Sequence, residues 1–209
     1  KLYWREKLDF IAFDLETTGV DPSKDHIIEI GAVKFSDSQV VDGYGQLINP
    51  GCPIPAEAKA VNGITDDMVL DKPIIEDVLP EFATFCEDLP LVAHNASFDY
   101  KFLLRDINKF RSLSPRGCVL DTLALSRRVF PGMANYKLWT LVRHFDFPSG
   151  AFHRAEEDSS YCGLLFAKIV ETLIKRKEPY SLDDLQKLIG KPPMTFPVFG
   201  MESDQLDLF

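Results

Sequence analysis

The stretch Phe10-Ile11-Ala12-Phe13-Asp14-Leu15-Glu16-Thr17-Thr18-Gly19 decides the fold of this chain, because an apolar run ends in two carboxylates and a turn. Such a run predicts a buried β-strand. A second apolar run, Leu91-Val92-Ala93, leads into another polar cluster in the same way. That cluster and a third one later in the chain read His94-Asn95-Ala96-Ser97-Phe98-Asp99 and His153-Arg154-Ala155-Glu156-Glu157-Asp158.

The chemistry of the three clusters predicts one metal site. A buried carboxylate without a partner costs roughly several kcal/mol, so acids beside apolar strands require a cation. Mg²⁺ and Mn²⁺ prefer oxygen ligands, and two such ions about 3.5–4 Å apart support in-line attack on a phosphodiester. The sequence therefore predicts a nuclease site.

Composition favours one ordinary globular domain, since the 209 residues are 45% hydrophobic and 26% charged. The opening Lys1-Leu2-Tyr3-Trp4-Arg5-Glu6-Lys7 has no long apolar region, so we expect neither a signal peptide nor a membrane span. Four cysteines without a Cys-x-x-Cys pair indicate reduced, packed thiols. These features predict a cytoplasmic protein.

The charge is unevenly distributed. A net charge of -9 argues against a polyanionic substrate. However, Lys101 to Arg143 contains nine Lys or Arg against two acids, a sum of +7, and the remainder of the chain carries -16. Each basic residue could simply face solvent on a helix, but the block as a whole could hold phosphates.

The order of the predicted elements indicates a mixed α/β sheet covered by helices on both faces. Strands are predicted at 9–15, 27–35, 40–48, 91–93 and 118–120, with a Pro- and Gly-rich loop at 49–63. Helical spacing marks 74–86 and a helix beginning near Phe98, followed by helices near 122–130, 137–145 and 155–176. Ser181 to Asp184 resembles a capping box that starts a last short helix. We expect a domain over 1–190 and a poorly ordered tail over 191–209.

Each polar residue of the clusters also has a purely structural explanation. His94 could be a core histidine with satisfied hydrogen bonds, and Asn95 could cap the following helix. Asp99 in that helix's first turn would gain from the helix dipole, and Asp158 could be a helix-start acid. Gly19 could be a plain turn glycine.

Taken together, the order and context of these residues over about 8–175 resemble the DEDDh 3′-to-5′ exonucleases. This ribonuclease H-like group includes the proofreading subunit of bacterial DNA polymerase III. The resemblance implies that Asp14, Glu16, Asp99 and Asp158 bind two divalent ions, Mg²⁺ or Mn²⁺, and that His153 is the general base. A sister subfamily places a tyrosine where this chain has Arg154, which excludes it. By the same resemblance, the catalytic set is His153, Asp14, Glu16, Asp99 and Asp158.

The resemblance also implies substrate contacts around the terminal nucleotide. Backbone amides of Thr17, Thr18 and Gly19 are expected to bind that nucleotide, with further contacts from His94, Asn95 and Phe98. Asn62, in Val61-Asn62-Gly63, stands where the family often has histidine, which puts its contact in doubt.

The chain ends in Gln205-Leu206-Asp207-Leu208-Phe209, which is similar to the bacterial sliding-clamp binding pentapeptide. The expected partners are therefore DNA 3′ ends, the sliding clamp and a replicative polymerase. The expected function is proofreading or repair by 3′-to-5′ exonuclease action on DNA. Two alternatives stay open: an RNA-trimming exonuclease with the same site, and a non-catalytic clamp or polymerase adaptor.

Overall fold

Five strands form one sheet in a computed structural model that describes residues 8–147 and 155–199. The strands are β1 (Phe10–Thr17), β2 (Ile27–Ser36), β3 (Gln39–Leu47), β4 (Leu91–Ala93) and β5 (Val119–Asp121). Their order across the sheet is β3-β2-β1-β4-β5. The first three strands form an antiparallel meander, whereas β4 pairs in parallel with β1 and with β5. The prediction of a mixed five-stranded sheet is confirmed.

Eight helices cover this sheet in the described ranges. They are α1 (Ala56–Asn62), α2 (Asp66–Val69), α3 (Ile75–Cys86), α4 (Ser97–Phe110), α5 (Thr122–Val129), α6 (Leu138–His144), α7 (Ala155–Lys175) and α8 (Leu182–Ile189). The predicted capping box is present at α8, where the side chains of Ser181 and Asp184 each accept a hydrogen bond from the other residue's backbone amide. Within residues 8–147 and 155–199, none of the helices has both the length and the apolar character required to cross a bilayer.

The alternation of β1 explains why helices lie on both faces. Successive strand side chains point to opposite sides of a sheet. Ile11 and Phe13 therefore pack in one core with residues of α3 and α4. Phe10 enters the opposite core, which contains residues of α5 and α7, stacks on Phe35 and meets the edge of Phe166. Helices on both faces are thus confirmed.

The segment 49–63 is not the continuous loop that its prolines and glycines predict. It contains α1, which begins after Pro55 and ends at Gly63, where φ is +71°. Proline is compatible with a helix start, and glycine tolerates the left-handed conformation that ends one. Ala58 of α1 packs with Ile54 and Ile64 in a small separate core.

Residues 191–199 pack against the domain, so the prediction of a poorly ordered tail from Lys191 onward is wrong for them. The Val119 amide donates to the Met194 carbonyl, at 2.9 Å. The hydroxyl of Tyr100 donates to the Thr195 carbonyl at 2.8 Å, and its ring lies 5.1 Å from that of the buried Phe196. Apolar side chains and backbone carbonyls therefore anchor a segment whose prolines had indicated disorder.

The four cysteines are free thiols, as predicted. Cys86 and Cys162 are buried in the two cores. Cys52 is exposed, so the expectation that all four are packed is wrong for that residue.

Candidate metal centre and nucleotide cleft

Strand β1 delivers Asp14 and Glu16 to the face on which α7 packs. Both follow Phe10 and Ala12 at even spacing, and these two residues belong to the α7-side core. A register shift between Glu16 and Thr17 interrupts the pairing with β2 at the carboxyl end of the strand. Such irregularities bend a strand locally and redirect its side chains.

Helix α7 begins directly against the backbone of β2. A Cβ atom on Gly31 would overlap the Ala155 carbonyl carbon and the Glu156 amide nitrogen. The Ala155 amide donates to Glu29 Oε2 at 3.2 Å, and the Ser159 hydroxyl donates to the Gly31 carbonyl at 2.9 Å. The buried carboxylate of Glu29 therefore satisfies one of the amides that every helix start leaves without an intrahelical partner. This docking sets the position of the first turn of α7.

The first turn of α7 completes a carboxylate cluster. Asp14, Glu16 and Asp158 each offer an oxygen, and these atoms lie within 4.8 Å of one another. They come from two elements that are distant in sequence. Their spacing and their oxygen donors fit a divalent cation such as Mg²⁺ or Mn²⁺.

Asp99 reaches the same place from the other side of the sheet. It lies in the first turn of α4, is 3% exposed, and accepts a hydrogen bond from the Leu15 amide at 3.2 Å. Leu15 stands between Asp14 and Glu16, so the fourth predicted ligand is beside the cluster. The backbone that carries these two acids is thereby linked directly to α4.

The electrostatics of these acids favour a cation among them. Burial raises the pKa of Asp14 well above its usual range, and the nearby carboxylates of Asp99, Glu16 and Asp158 raise it further. Burial also raises the pKa of Asp99. Several acids that raise the pKa of one of them in a partly buried place are costly as anions unless a cation neutralises them. The donor set therefore suits a divalent metal ion.

An open cleft of about 300 Å³ adjoins this cluster. It combines the end of β1 with α1 and the start of α4, and the predicted contacts Thr17, Thr18, Gly19, Asn62 and Phe98 all line it. The structure thus brings together five of the seven predicted substrate contacts. Its walls also include the exposed side chains of Val20 and Val61.

Several of these residues are already bonded within the protein. The Thr18 amide donates to the His26 carbonyl at 2.9 Å. The prediction that this amide binds the terminal nucleotide is therefore not supported. The Asn62 amide group donates to the Thr17 carbonyl at 3.4 Å and accepts from the Ile64 amide at 3.0 Å. Asn62 therefore shapes the cleft wall. A Cβ atom on Gly19 would overlap the Asp25 carboxylate, which gives that glycine a packing role.

His94 and Asn95 lie outside the cleft lining. The ring nitrogens of His94 contact the Thr122 hydroxyl at 3.0 Å and the Tyr136 carbonyl at 2.7 Å, and burial lowers the pKa of the ring. The structural explanation of His94 as a satisfied histidine is therefore favoured. Asn95 is exposed with a φ of +67°, and the capping position of α4 belongs to Ala96. The prediction that Asn95 caps this helix is wrong.

Two other predicted regions lie outside the described residues. They are the proposed base His153, within 148–154, and the terminal Gln205, Leu206, Asp207, Leu208 and Phe209. In contrast, Glu29 and Gly31 were not predicted and prove central to the docking of α7. The sequence does mark these two positions, because an acid and a glycine interrupt the apolar run Ile27-Ile28-Glu29-Ile30-Gly31.

The geometry agrees with comparisons to known proteins. Residues 11–166 match the family model RNase_T, described as Exonuclease. The chain belongs to this exonuclease family. The match covers the sheet except Phe10, the first residue of β1, and includes all four carboxylates of the site.

Relatives of this exonuclease include replication proteins. The DNA polymerase III subunit epsilon of Treponema pallidum is 38% identical over 167 residues, which cover 79% of this chain and 78% of that protein. The PolC-type DNA polymerase III of Caldanaerobacter subterraneus is 42% identical over 165 residues, 79% of this chain but only 12% of that protein. The chain therefore matches one small region of the PolC-type polymerases.

A solved structure supports the same relationship. Exonuclease X in complex with 5′ overhanging duplex DNA is 30% identical, with a TM-score of 0.70 over 87% of this chain and 99% of that one. The ribonuclease H-like exonuclease fold expected from the sequence is confirmed.

We predict that Gly31→Ala disrupts the metal centre while Gly43→Ala does not. Alanine at 31 meets backbone atoms of α7, which can only move away and take Asp158 with them. Alanine at 43 meets only the end of the Glu156 side chain, at 3.1 Å, which can rotate. Calorimetric titration with Mn²⁺ should show at least about tenfold weaker binding for Gly31→Ala, the lower end of what mispositioned ligands cost. Equal affinities of the two variants would contradict the docking account.

We also predict that Asp14→Asn stabilises the metal-free protein. The neutral amide removes repulsion among the acids, and about 1 kcal/mol of relief corresponds to about 2–4 °C in Tm for a chain of this size. Because the pKa of Asp14 is raised on folding, its ionisation opposes folding as pH rises above about 3.9, the value in unfolded chains. The gain should therefore be small near that pH and should grow towards neutrality.

The control for this measurement is Asp66→Asn. The ammonium of Lys59 lowers the pKa of Asp66, so its charged form is favoured and the amide should not raise Tm. Melting curves in chelator across this pH range measure both variants. A lower Tm for Asp14→Asn than for wild type at neutral pH would show that the acids do not repel one another.

Proposed function

We propose that this exonuclease removes nucleotides from the 3′ end of DNA by metal-dependent hydrolysis, in proofreading or repair. The observation that carries the proposal is the convergence of Asp14, Glu16 and Asp158 within 4.8 Å, with Asp99 beside them. The 38% identity to a DNA polymerase III subunit epsilon supports a replication role. The similarity to Exonuclease X, which is bound to a DNA duplex with a 5′ overhang, favours DNA over RNA.

The chain's own residues would divide the work as follows. Asp14, Glu16, Asp99 and Asp158 would hold two divalent ions, which when bound supply an activated water and neutralise charge on the phosphoryl oxygens. His153 would accept the proton of the attacking water, since an imidazole titrates near neutral pH. The cleft beside Phe98 would hold the terminal nucleoside.

The apolar walls of the cleft suit this task. Phe98, Val20 and Val61 offer surfaces for a base or sugar, and Phe98 is held by a tilted ring contact with Phe102 at 5.0 Å. Stacking on an aromatic ring binds any of the four bases, which is what a nuclease with no sequence preference requires. A terminal nucleoside in the cleft would place its phosphate at the carboxylates of β1.

The terminal pentapeptide Gln205 to Phe209 would bind a sliding clamp. Its two leucines and phenylalanine follow a polar stretch and suit insertion into an apolar groove of a partner. Because residues up to Phe199 are held by the domain, the five residues from 200 to 204 reach at most about 20 Å. A short connection would give a high effective concentration of the nuclease at a DNA end near the clamp.

We predict that Asp158→Asn lowers cleavage at least about a hundredfold, whereas Glu156→Gln does not. The two acids lie on the same helix, but Asp158 belongs to the carboxylate cluster and Glu156 lies over Gly43 and Gly45. The measurement is time-resolved shortening of 5′-labelled single-stranded DNA and RNA of equal sequence, with Mg²⁺, Mn²⁺ or chelator. His153→Ala, tested in parallel, should also lose activity.

The substrate arms of this assay distinguish the alternatives. A metal-dependent ladder from the 3′ end that is faster on DNA supports the proposal. Faster cleavage of RNA would reassign the protein to RNA trimming, where the 2′-hydroxyl is tolerated or required. Absence of cleavage with either metal would leave a non-catalytic adaptor.

We predict that deletion of 205–209 abolishes binding to a bacterial sliding clamp without changing hydrolysis of free single-stranded DNA. None of the residues assigned to the metal ions or to the terminal nucleotide belongs to the pentapeptide, so the two readouts should be independent. Surface plasmon resonance on immobilised clamp measures the first, and the ladder assay measures the second. A chain in which Gln205 and Asp207 are exchanged has the same composition and serves as the control for the order of residues. Undiminished clamp binding after the deletion would rule out this contact.

A further inference from the structure

Residues 122–145 form a basic region without acids in a chain whose net charge is -9. They contain no Asp or Glu, although the whole chain has 32 acids, and they contain Arg127, Arg128, Lys137 and Arg143. All four of these basic side chains are exposed. The region includes α5, α6 and the connection between them. A positive surface of this kind attracts phosphates in a protein whose net charge of -9 would repel them.

Aromatic rings alternate with these cations. Trp139 on α6 is 41% exposed, and the Arg143 guanidinium lies 4.9 Å from its ring centroid. The Arg127 guanidinium lies 6.0 Å from the ring of Tyr136. Tyr136 is half-buried, so Trp139 is the exposed ring of the two. An exposed aromatic ring among cations is typical of surfaces that bind single-stranded nucleic acid, because a base stacks on the ring while the cations hold the backbone. We name Arg127, Tyr136, Lys137, Trp139 and Arg143 the α5–α6 surface.

Trp139 is not part of the contact that docks α6. This helix buries Leu141 in the α7-side core, and Val142 is buried as well. Trp139 stays 41% exposed, with the Arg143 guanidinium beside its ring. A partly exposed tryptophan on a cationic face offers a flat ligand a surface for stacking.

The α5–α6 surface is connected to the candidate site at both of its ends. The carbonyl of Tyr136 contacts the ring of His94, which follows β4 and precedes α4 with its ligand Asp99. After α6 the chain leads into α7, whose first turn carries Asp158. The terminal-nucleotide cleft, in contrast, is lined by β1, α1 and α4. Helix α7, which carries Asp158, packs in the same core as α5 and α6, so the carboxylate cluster shares an element with the cores of both the site and the α5–α6 surface.

We propose that the α5–α6 surface binds the unpaired DNA strand on the 5′ side of the scissile phosphate. Trp139 stacks on a base, and Arg143, Lys137 and Arg127 contact the phosphates. The inference rests on the proposed function, since it extends the path of the same strand. The α5–α6 surface would give this acidic protein a contact with DNA that does not depend on the metal ions.

The test compares a short and a long substrate on the same variants. Trp139→Ala should raise KM for a single strand of about 12 nucleotides at least about fivefold, the lower end of what loss of one stacked base costs. Hydrolysis of thymidine 5′-monophosphate p-nitrophenyl ester, which has no further nucleotides, should be unchanged. Trp139→Phe should largely restore the KM for the long strand, because its ring can still stack. Arg143→Gln should lower the salt dependence of long-strand binding by about one released ion.

Arg116→Gln is the matched control for charge. Arg116 is exposed and pairs with Asp88, and it lies before β5, at the opposite end of the strands from the site. It should leave the salt dependence unchanged. An unchanged long-strand KM in Trp139→Ala, with the ester still hydrolysed, would overturn the inference while the proposed function stands. Failure of wild type to hydrolyse either substrate would overturn the proposed function instead.

Discussion

Repulsion among partly buried carboxylates is the constraint around which this fold is arranged. Asp14 and Glu16 emerge from the central strand, and Asp158 and Asp99 are brought to them by helices that cover opposite faces of the sheet. Each approach is fixed by a contact to the main chain: the Leu15 amide donates to Asp99, the Ala155 amide donates to Glu29, and the first turn of α7 packs on Gly31. The main-chain partner in each contact belongs to a strand or helix and cannot rotate away. Rigid elements of the fold therefore hold the acids close together against their mutual repulsion.

The parts of this arrangement that follow local patterns could be predicted from the sequence. Alternation and apolar runs indicated the five strands, and the acids at their ends indicated the metal centre. The docking of α7 could not be predicted in the same way, because Glu29 and Ala155 are 126 residues apart and their hydrogen bond leaves no local periodicity. The same reason applies to residues 191–199. Their prolines are a local signal for disorder, whereas the core that receives Phe196 is formed by distant elements.

Polar residues near the site show where resemblance and structure differ. Asn62 and Thr18 line the cleft as the resemblance implies, yet their polar groups bond to the protein itself. The cleft is therefore shaped by polar residues and walled by apolar ones. This division suits a ligand that must enter and leave repeatedly, because stacking holds a nucleoside without the geometric demands of hydrogen bonds. His94 likewise has a structural role, because its ring contacts the Tyr136 carbonyl and so links the end of β4 to the connection that leads into α6.

Separation of charge resolves the apparent conflict between an acidic chain and a polyanionic substrate. The acids needed for metal binding are concentrated where β1, α4 and α7 meet, and the region 122–145 is free of acids. At an ionic strength of about 0.15 M, charges on the surface act over about 8 Å. Net charge is then a poor guide to what a particular surface binds. A phosphate chain over α6 would experience mainly Lys137 and Arg143. The same separation explains why the positive residues are not used to neutralise the carboxylates directly: an arginine within the cluster would occupy the place that the metal ions require.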